Sequence, residues 1–315
     1  MPMPQINVPL EGLVAATFTP FHQDRSLHLE AIAPMVDRLI DQQIAALYVL
    51  GSTGEGASLT FDERCAVAES FVNAASGRLP VIVQVGSESL MQARQLAAHA
   101  SRAGADGISA VSPVYFKPDS VETLVASMAE IAGGAPELPF YYYHIPAVTG
   151  VGVSAIEFLK LAEQRIVNLR GVKFTSQNVF EFQGCVEYAQ ERLQILWGLD
   201  EMLQCGLSAG AVAAVGSTYN FAAAIYQRLL AAFAAGDMET VRQEQLRSQA
   251  IVRAFLPYGP RGAQKAIMKM IGIDCGPSRL PVPTLTSSQY DALERELREM
   301  GFFEWIKPLA GRAAP

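Results

Sequence analysis

A lysine stands inside a short apolar run, Leu169-Arg170-Gly171-Val172-Lys173-Phe174-Thr175, and its chemistry depends on where that run sends it. In a β-strand alternate side chains share a face, so Val172 and Phe174 lie on one side and Gly171, Lys173 and Thr175 on the other. If helices cover the apolar face, Lys173 points into the protein. Burial disfavours the ammonium form, and a neutral amine is a nucleophile able to form a Schiff base with a carbonyl compound. The plainer alternative is a strand-end lysine that snorkels to solvent or pairs with a carboxylate.

Other stretches offer partners for such an amine. In Tyr141-Tyr142-Tyr143-His144, Tyr141 and Tyr143 share a face while His144 has the opposite parity and reads as structural. Consecutive tyrosines usually pack a core with tethered hydroxyls, but beside a Schiff-base lysine Tyr143 becomes a candidate acid/base. Ser52 and Glu55 in Gly51-Ser52-Thr53-Gly54-Glu55-Gly56 have the spacing of a helix-capping box. Thr60 and Glu63 have the same spacing directly before a helical pattern, which frees the glycine-rich loop to hold a carboxylate with Ser52, Thr53 and its backbone N–H groups. Asp200 and Glu201, after Gly198-Leu199, either complement a helix dipole or accept hydrogen bonds from sugar hydroxyls. Tyr115 is a packed aromatic or a relay partner, and Gly216-Ser217-Thr218 caps a helix or touches a ligand. His22, His28 and His99 show no metal-ligand spacing.

The elements that must position these residues alternate along the chain. Apolar, β-branched or aromatic runs at Leu13–Phe18, Ala46–Leu50, Val81–Val85, Gly107–Val111, Phe140–Tyr143, Arg170–Phe174, Gln194–Trp197 and Ala211–Val215 predict eight strands. Helical periodicity fills the gaps, as at Leu29–Gln42, Asp62–Ala75, Ser89–Ala103 and Ser120–Ala132. Eight βα repeats with no G-x-G-x-x-G predict an α/β fold, a (β/α)8 TIM barrel whose loops after the strands carry the site. The barrel should occupy residues 1–235. Helices at Met238–Leu256, Gln264–Met270 and Ser287–Met300 should form a C-terminal helical appendage over 236–315, with Pro257–Gly262 read as a turn.

Composition narrows the class. The 315-residue chain is 50% hydrophobic and 17% charged, enough for a large core. A net charge of −7 gives no footprint for nucleic acid, and an anionic substrate must be held by local donors. No apolar run is long enough to span a membrane. The opening Met1–Asn7 lacks signal-peptide features, and the four cysteines have no C-x-x-C spacing, so a reduced, cytoplasmic location is expected.

Gly51–Glu55, Tyr143-His-Ile-Pro146 with Thr149-Gly150, Gly171–Thr175, Gly198–Glu201, Gly216–Asn220 and Gly276–Arg279, in this order, resemble the N-acetylneuraminate lyase and dihydrodipicolinate synthase superfamily of Schiff-base barrels. The resemblance implies a homotetramer that uses no metal or cofactor. It implies Lys173 as the Schiff-base lysine, Tyr143 as the proton shuttle, Tyr115 as a relay assistant, and Ser52 and Thr53 as carboxylate holders. Thr175, Gly198, Asp200, Glu201 and Ser217 match positions that hold the sugar part of sialic acid in the lyases. The synthases carry an arginine before the threonine of the Tyr-x-x-Pro loop, where this chain has Val148, so the resemblance favours aldol cleavage of N-acetylneuraminate to N-acetylmannosamine and pyruvate. The alternatives are an aldolase or dehydratase for another 2-keto-3-deoxy sugar acid, a synthase-like condensing enzyme, and a non-catalytic barrel that binds pyruvate-like ligands.

Overall fold

Parity along eight short strands decides which side chains line the interior. A computed structural model describes residues 9–307; the opening heptapeptide and the last eight residues of the expected appendage lie outside them. The strands are β1 (Gly12–Ala16), β2 (Ala46–Val49), β3 (Val81–Gln84), β4 (Gly107–Val111), β5 (Phe140–His144), β6 (Leu169–Phe174), β7 (Gln194–Trp197) and β8 (Ala213–Gly216). They close in chain order into one all-parallel barrel. Inside it pack Val14, Tyr48, Ile82, Tyr141, Tyr143, Leu196 and Val215. The alternate residues, including Leu47, Phe140, Tyr142, Val172, Phe174 and Trp197, face the outer helical layer. The period of two expected for Lys173 therefore holds: its neighbours Val172 and Phe174 turn outward.

The helices of the outer layer are α1 (Ile32–Asp41), α2 (Phe61–Ala75), α3 (Leu90–Arg102), α4 (Val121–Ala132), the single turn α5 (Pro146–Thr149), α6 (Ala155–Arg165), α7 (Val179–Ala189), α8 (Leu203–Ser208) and α9 (Tyr219–Ala234). Then come α10 (Met238–Phe255), α11 (Pro260–Met270), α12 (Ser287–Glu299) and the short α13 (Phe302–Trp305). The Thr60–Glu63 capping box does start α2, with both reciprocal hydrogen bonds present.

Several element ends shift from expectation, and two of the shifts have clear local reasons. β8 begins at Ala213 rather than Ala211, because the Ala211 amide closes the end of α8 on the Gly206 carbonyl at 2.9 Å. α11 begins at Pro260, within the stretch expected to be a turn. Proline is well suited to the first helical position, since its missing N–H would have no partner there. That early start puts Arg261 and Gln264 on a helix rather than in a loop.

α11 is also the element that brings the C-terminal helices to the strand ends. Gln264 Nε2 donates to Ser217 Oγ at 3.0 Å, beyond β8. Lys265 Nζ pairs with Glu55 at 2.7 Å, beyond β2, and Arg261 Nε donates to the Ser52 carbonyl at 3.1 Å.

Candidate active site

Lys173 sits at the C-terminal end of β6, in register with Tyr143 of β5 and Leu196 of β7. It is 4% exposed, and its Nζ lies 3.9 Å from the Tyr48 ring centre and 4.0 Å from that of Tyr143. Among the described residues no carboxylate lies within ion-pair distance of it. Burial pulls its pKa below the usual lysine value, partly opposed by Tyr143 and Asp200, and the nearby Arg261 charge adds to the fall. Burial alone would raise the Tyr143 phenol. The Lys173 charge, the polar Ser52 and Lys173 groups nearby, and Arg261 outweigh that and bring it below the usual value. The amine and phenol are thus poised to exchange a proton.

Tyr48 was missed in the sequence reading. Its ring meets Tyr143 edge-on at 5.8 Å, and its hydroxyl donates to Ser109, which in turn donates to the Tyr141 carbonyl. The parity of β2 carried the signal, since Ala46 and Tyr48 share the interior face.

The loop after β2 departs from ordinary backbone at both ends: Leu50 and Glu55 adopt left-handed φ of 64° and 53°. Such conformations in non-glycine residues cost about 1–3 kcal/mol each and persist only when surroundings enforce them. Here Thr19 donates to the Gly54 carbonyl at 2.6 Å, Arg261 takes the Ser52 carbonyl, and Glu55 binds Lys265 and the Arg279 amide. The carbonyls being held, the N–H groups of Ser52, Thr53 and Gly54 bond to no acceptor among the described residues. Three successive free amides form a nest suited to an anion. Glu55 serves this scaffold and not a helix cap.

On the opposite side, Gly198 and Gly216 allow close approach. A Cβ on Gly198 would collide with Thr175 Oγ1, and one on Gly216 with the Asp200 carboxylate. Thr175 Oγ1 is buried without a hydrogen-bond partner. Asp200 is 5% exposed, and its Oδ2 accepts from the Thr218 amide at 2.8 Å and hydroxyl at 2.6 Å. Burial, then the Glu201 charge, raises its pKa to about 7 despite the Thr218 bonds and Lys173. Glu201 is only half-buried. The two acids are therefore not equivalent: Asp200 lies within the protein, and Glu201 lies closer to solvent.

The structure brings Lys173, Tyr143, Ser52, Thr53, Thr175, Gly198, Asp200 and Ser217 to the strand ends. Tyr115 is not brought in: it is 80% exposed and packs edge-on against Phe116. His144 is buried and stacked on Phe174 outside the barrel, in line with its parity. His22, His28 and Glu30 lie together, with ligand atoms within 4.8 Å, where the Phe21–Leu27 bridge folds that segment back. His22 and Glu30 are exposed, and the two imidazoles stack on one another at 4.3 Å.

Known proteins resemble this chain along most of its length. Residues 9–300 match the model of the dihydrodipicolinate synthetase family. N-acetylneuraminate lyase A of Xenopus laevis is 43% identical over 87% of this chain and 90% of its own. N-acetylneuraminate lyase of Rattus norvegicus is 37% identical over 94% of both. The solved Proteus mirabilis N-acetylneuraminate lyase superposes with a TM-score of 0.91 at 37% identity, covering 93% of this chain and 99% of that one. With the family's model matched across the whole barrel and into α12, the chain belongs to the dihydrodipicolinate synthetase family.

Proposed function

We propose that the chain is a Schiff-base aldolase that reversibly cleaves N-acetylneuraminate to N-acetylmannosamine and pyruvate. The observation that carries this reading is the Lys173 amine, buried between two tyrosine rings with no carboxylate in ion-pair range among the described residues.

Lys173 Nζ adds to the C2 ketone of the open-chain sugar, and loss of water leaves an iminium. Tyr143 as phenolate takes the C4 hydroxyl proton while the C3–C4 bond breaks, and the bond's electron pair enters the iminium to give an enamine. Tyr143 then returns a proton to C3, and water releases pyruvate and restores the amine. The Ser52 and Thr53 amides and hydroxyls hold the carboxylate. Thr175, Glu201 and Ser217 meet the polyhydroxylated part, with Asp200 and Gly198 shaping that wall.

One assignment depends on assembly. Val114, Tyr115 and Phe116 form an exposed apolar cluster, which supports a homotetramer in which a second copy covers Tyr115 and lets it assist the relay. The division at residue 235 becomes a functional one, since α11 of the appendage buttresses the carboxylate loop. No helix among the described residues is long and apolar enough to cross a membrane.

The test is pyruvate release from N-acetylneuraminate, read through a coupled lactate dehydrogenase, with borohydride trapping of pyruvate on the enzyme. Release only from another 2-keto-3-deoxy sugar acid would reassign the substrate. An adduct on any lysine but Lys173 would overturn the mechanism.

A further inference from the structure

The loop that receives the carboxylate offers amides and hydroxyls but no charge of its own. The chain as a whole is negative by seven, so no general field replaces a carboxylate's lost hydration. A Lys173 amine that must be neutral to react cannot serve as the counter-charge. Arg261, in the first turn of α11, stands beside that loop.

Its Nε donates to the Ser52 carbonyl at 3.1 Å, which fixes the guanidinium against the residue that presents the amide nest. The fork geometry of arginine lets Nε hold a protein carbonyl while the terminal amino groups remain for a ligand. No carboxylate is in ion-pair range of Arg261 among the described residues. Arg64 is held by the Gly86 and Gln84 carbonyls, Arg228 by Glu244, Arg279 by Glu63 and Lys265 by Glu55. The helix that carries Arg261 is anchored at its other contacts by Gln264 on Ser217 and Lys265 on Glu55, so the guanidinium is held in place before a ligand arrives. Its charge reaches both reacting groups, lowering the titration of Lys173 and of Tyr143 alike.

We propose that Arg261 is an anion-binding residue of the active site, taking one oxygen of the keto acid's carboxylate while the Ser52–Thr53 loop takes the other. The inference rests on the Schiff-base reading and adds to it a charged, appendage-borne determinant of specificity for 2-keto acids over neutral ketones.

Borohydride trapping of pyruvate and of its neutral amide, pyruvamide, on wild-type and Arg261→Gln protein tests it. Glutamine keeps an amide donor for the Ser52 carbonyl, and the ratio of the two ketones cancels any change in Lys173 protonation. Half-saturation by pyruvate should rise roughly 10- to 150-fold in the variant, as for a lost hydrogen bond to a charged group, with the pyruvamide value nearly unchanged. Equal shifts for both ketones would make Arg261 a tether of the Ser52 loop and overturn the proposal, as would an unchanged pyruvate curve. In the wild type, pyruvate but not pyruvamide should slow phenylglyoxal modification of Arg261, read by mass spectrometry. Absence of that protection also overturns it. Should the wild type form no adduct with either ketone, the Schiff-base reading fails by itself. The protection experiment then still decides whether Arg261 binds the carboxylate.

Discussion

Two lysines in this protein are buried almost equally, and they do opposite things. Lys173 is 4% exposed and Lys265 is 3% exposed. Burial pulls both below the usual lysine pKa. Lys265, however, pairs with Glu55 at 2.7 Å, donates to the Pro277 carbonyl at 3.0 Å and lies over the Phe21 ring at 4.3 Å. Every contact favours its charged form, and the result is a clamp between α11 and the loop after β2. Lys173 has no ion pair among the described residues; its Nζ lies over the Tyr48 and Tyr143 rings, with Asp200 acting at a distance. A buried lysine is a nucleophile where no ion pair answers its burial, and a strut where a carboxylate does.

The comparison breaks most sharply at Lys173. Lys173→Ala should lower turnover by roughly 10⁴–10⁶-fold and abolish the pyruvate adduct, while the melting curve stays cooperative. A borohydride adduct that survives in this variant would place the nucleophile elsewhere. Lys265→Met should act in the reverse sense, leaving the adduct at Lys173 but stranding Glu55, at a cost of about 3–5 kcal/mol in chemical unfolding. Removing both charges with Glu55→Leu should recover much of that stability, a double-mutant cycle that isolates the clamp. Tyr143→Phe keeps the packing and should lower turnover by about 10²–10⁴-fold with the adduct still forming. A loss below tenfold would move the proton to another group.

The two acids after β7 sharpen the contrast at smaller scale. Glu201→Gln should weaken cleavage of the sugar acid by roughly 10- to 150-fold in kcat/KM, while pyruvate trapping persists. Equal losses of both would make Glu201 a support of the fold. Asp200 is expected to act on stability. Its folded pKa of about 7 lies above the 3.8 of an unperturbed aspartate, so the native state holds the extra proton between about pH 4 and 7. Stability should therefore fall as pH rises through that window. Asp200→Asn should flatten the slope in urea titrations at pH 4, 5.5 and 7, and an unchanged slope would move its origin to another group.

Much of the site was legible because strand parity is a local property. The alternation in Gly171-Val172-Lys173-Phe174 was enough to turn Lys173 inward, and Tyr141-Tyr142-Tyr143 to place Tyr143 beside it. Tyr48 carried the same signal and was overlooked. The difference between Asp200 and Glu201 was not legible, since adjacent acids look alike until Thr218 folds onto one of them.

By itself the sequence determined the eight strands in order, the inward lysine and tyrosine, and the glycine-rich loop, because each follows from spacing within a few residues. Only the tertiary structure decided which charges meet. Arg261 reaches Ser52 across 209 positions of chain, and Arg279 reaches Glu55 across 224. Helical and strand periods say which face a residue takes, and nothing about the distant element that will lie against it. Barrel closure brings those elements together. Desolvation and charge pairing there separate the reactive Lys173 from the structural Lys265.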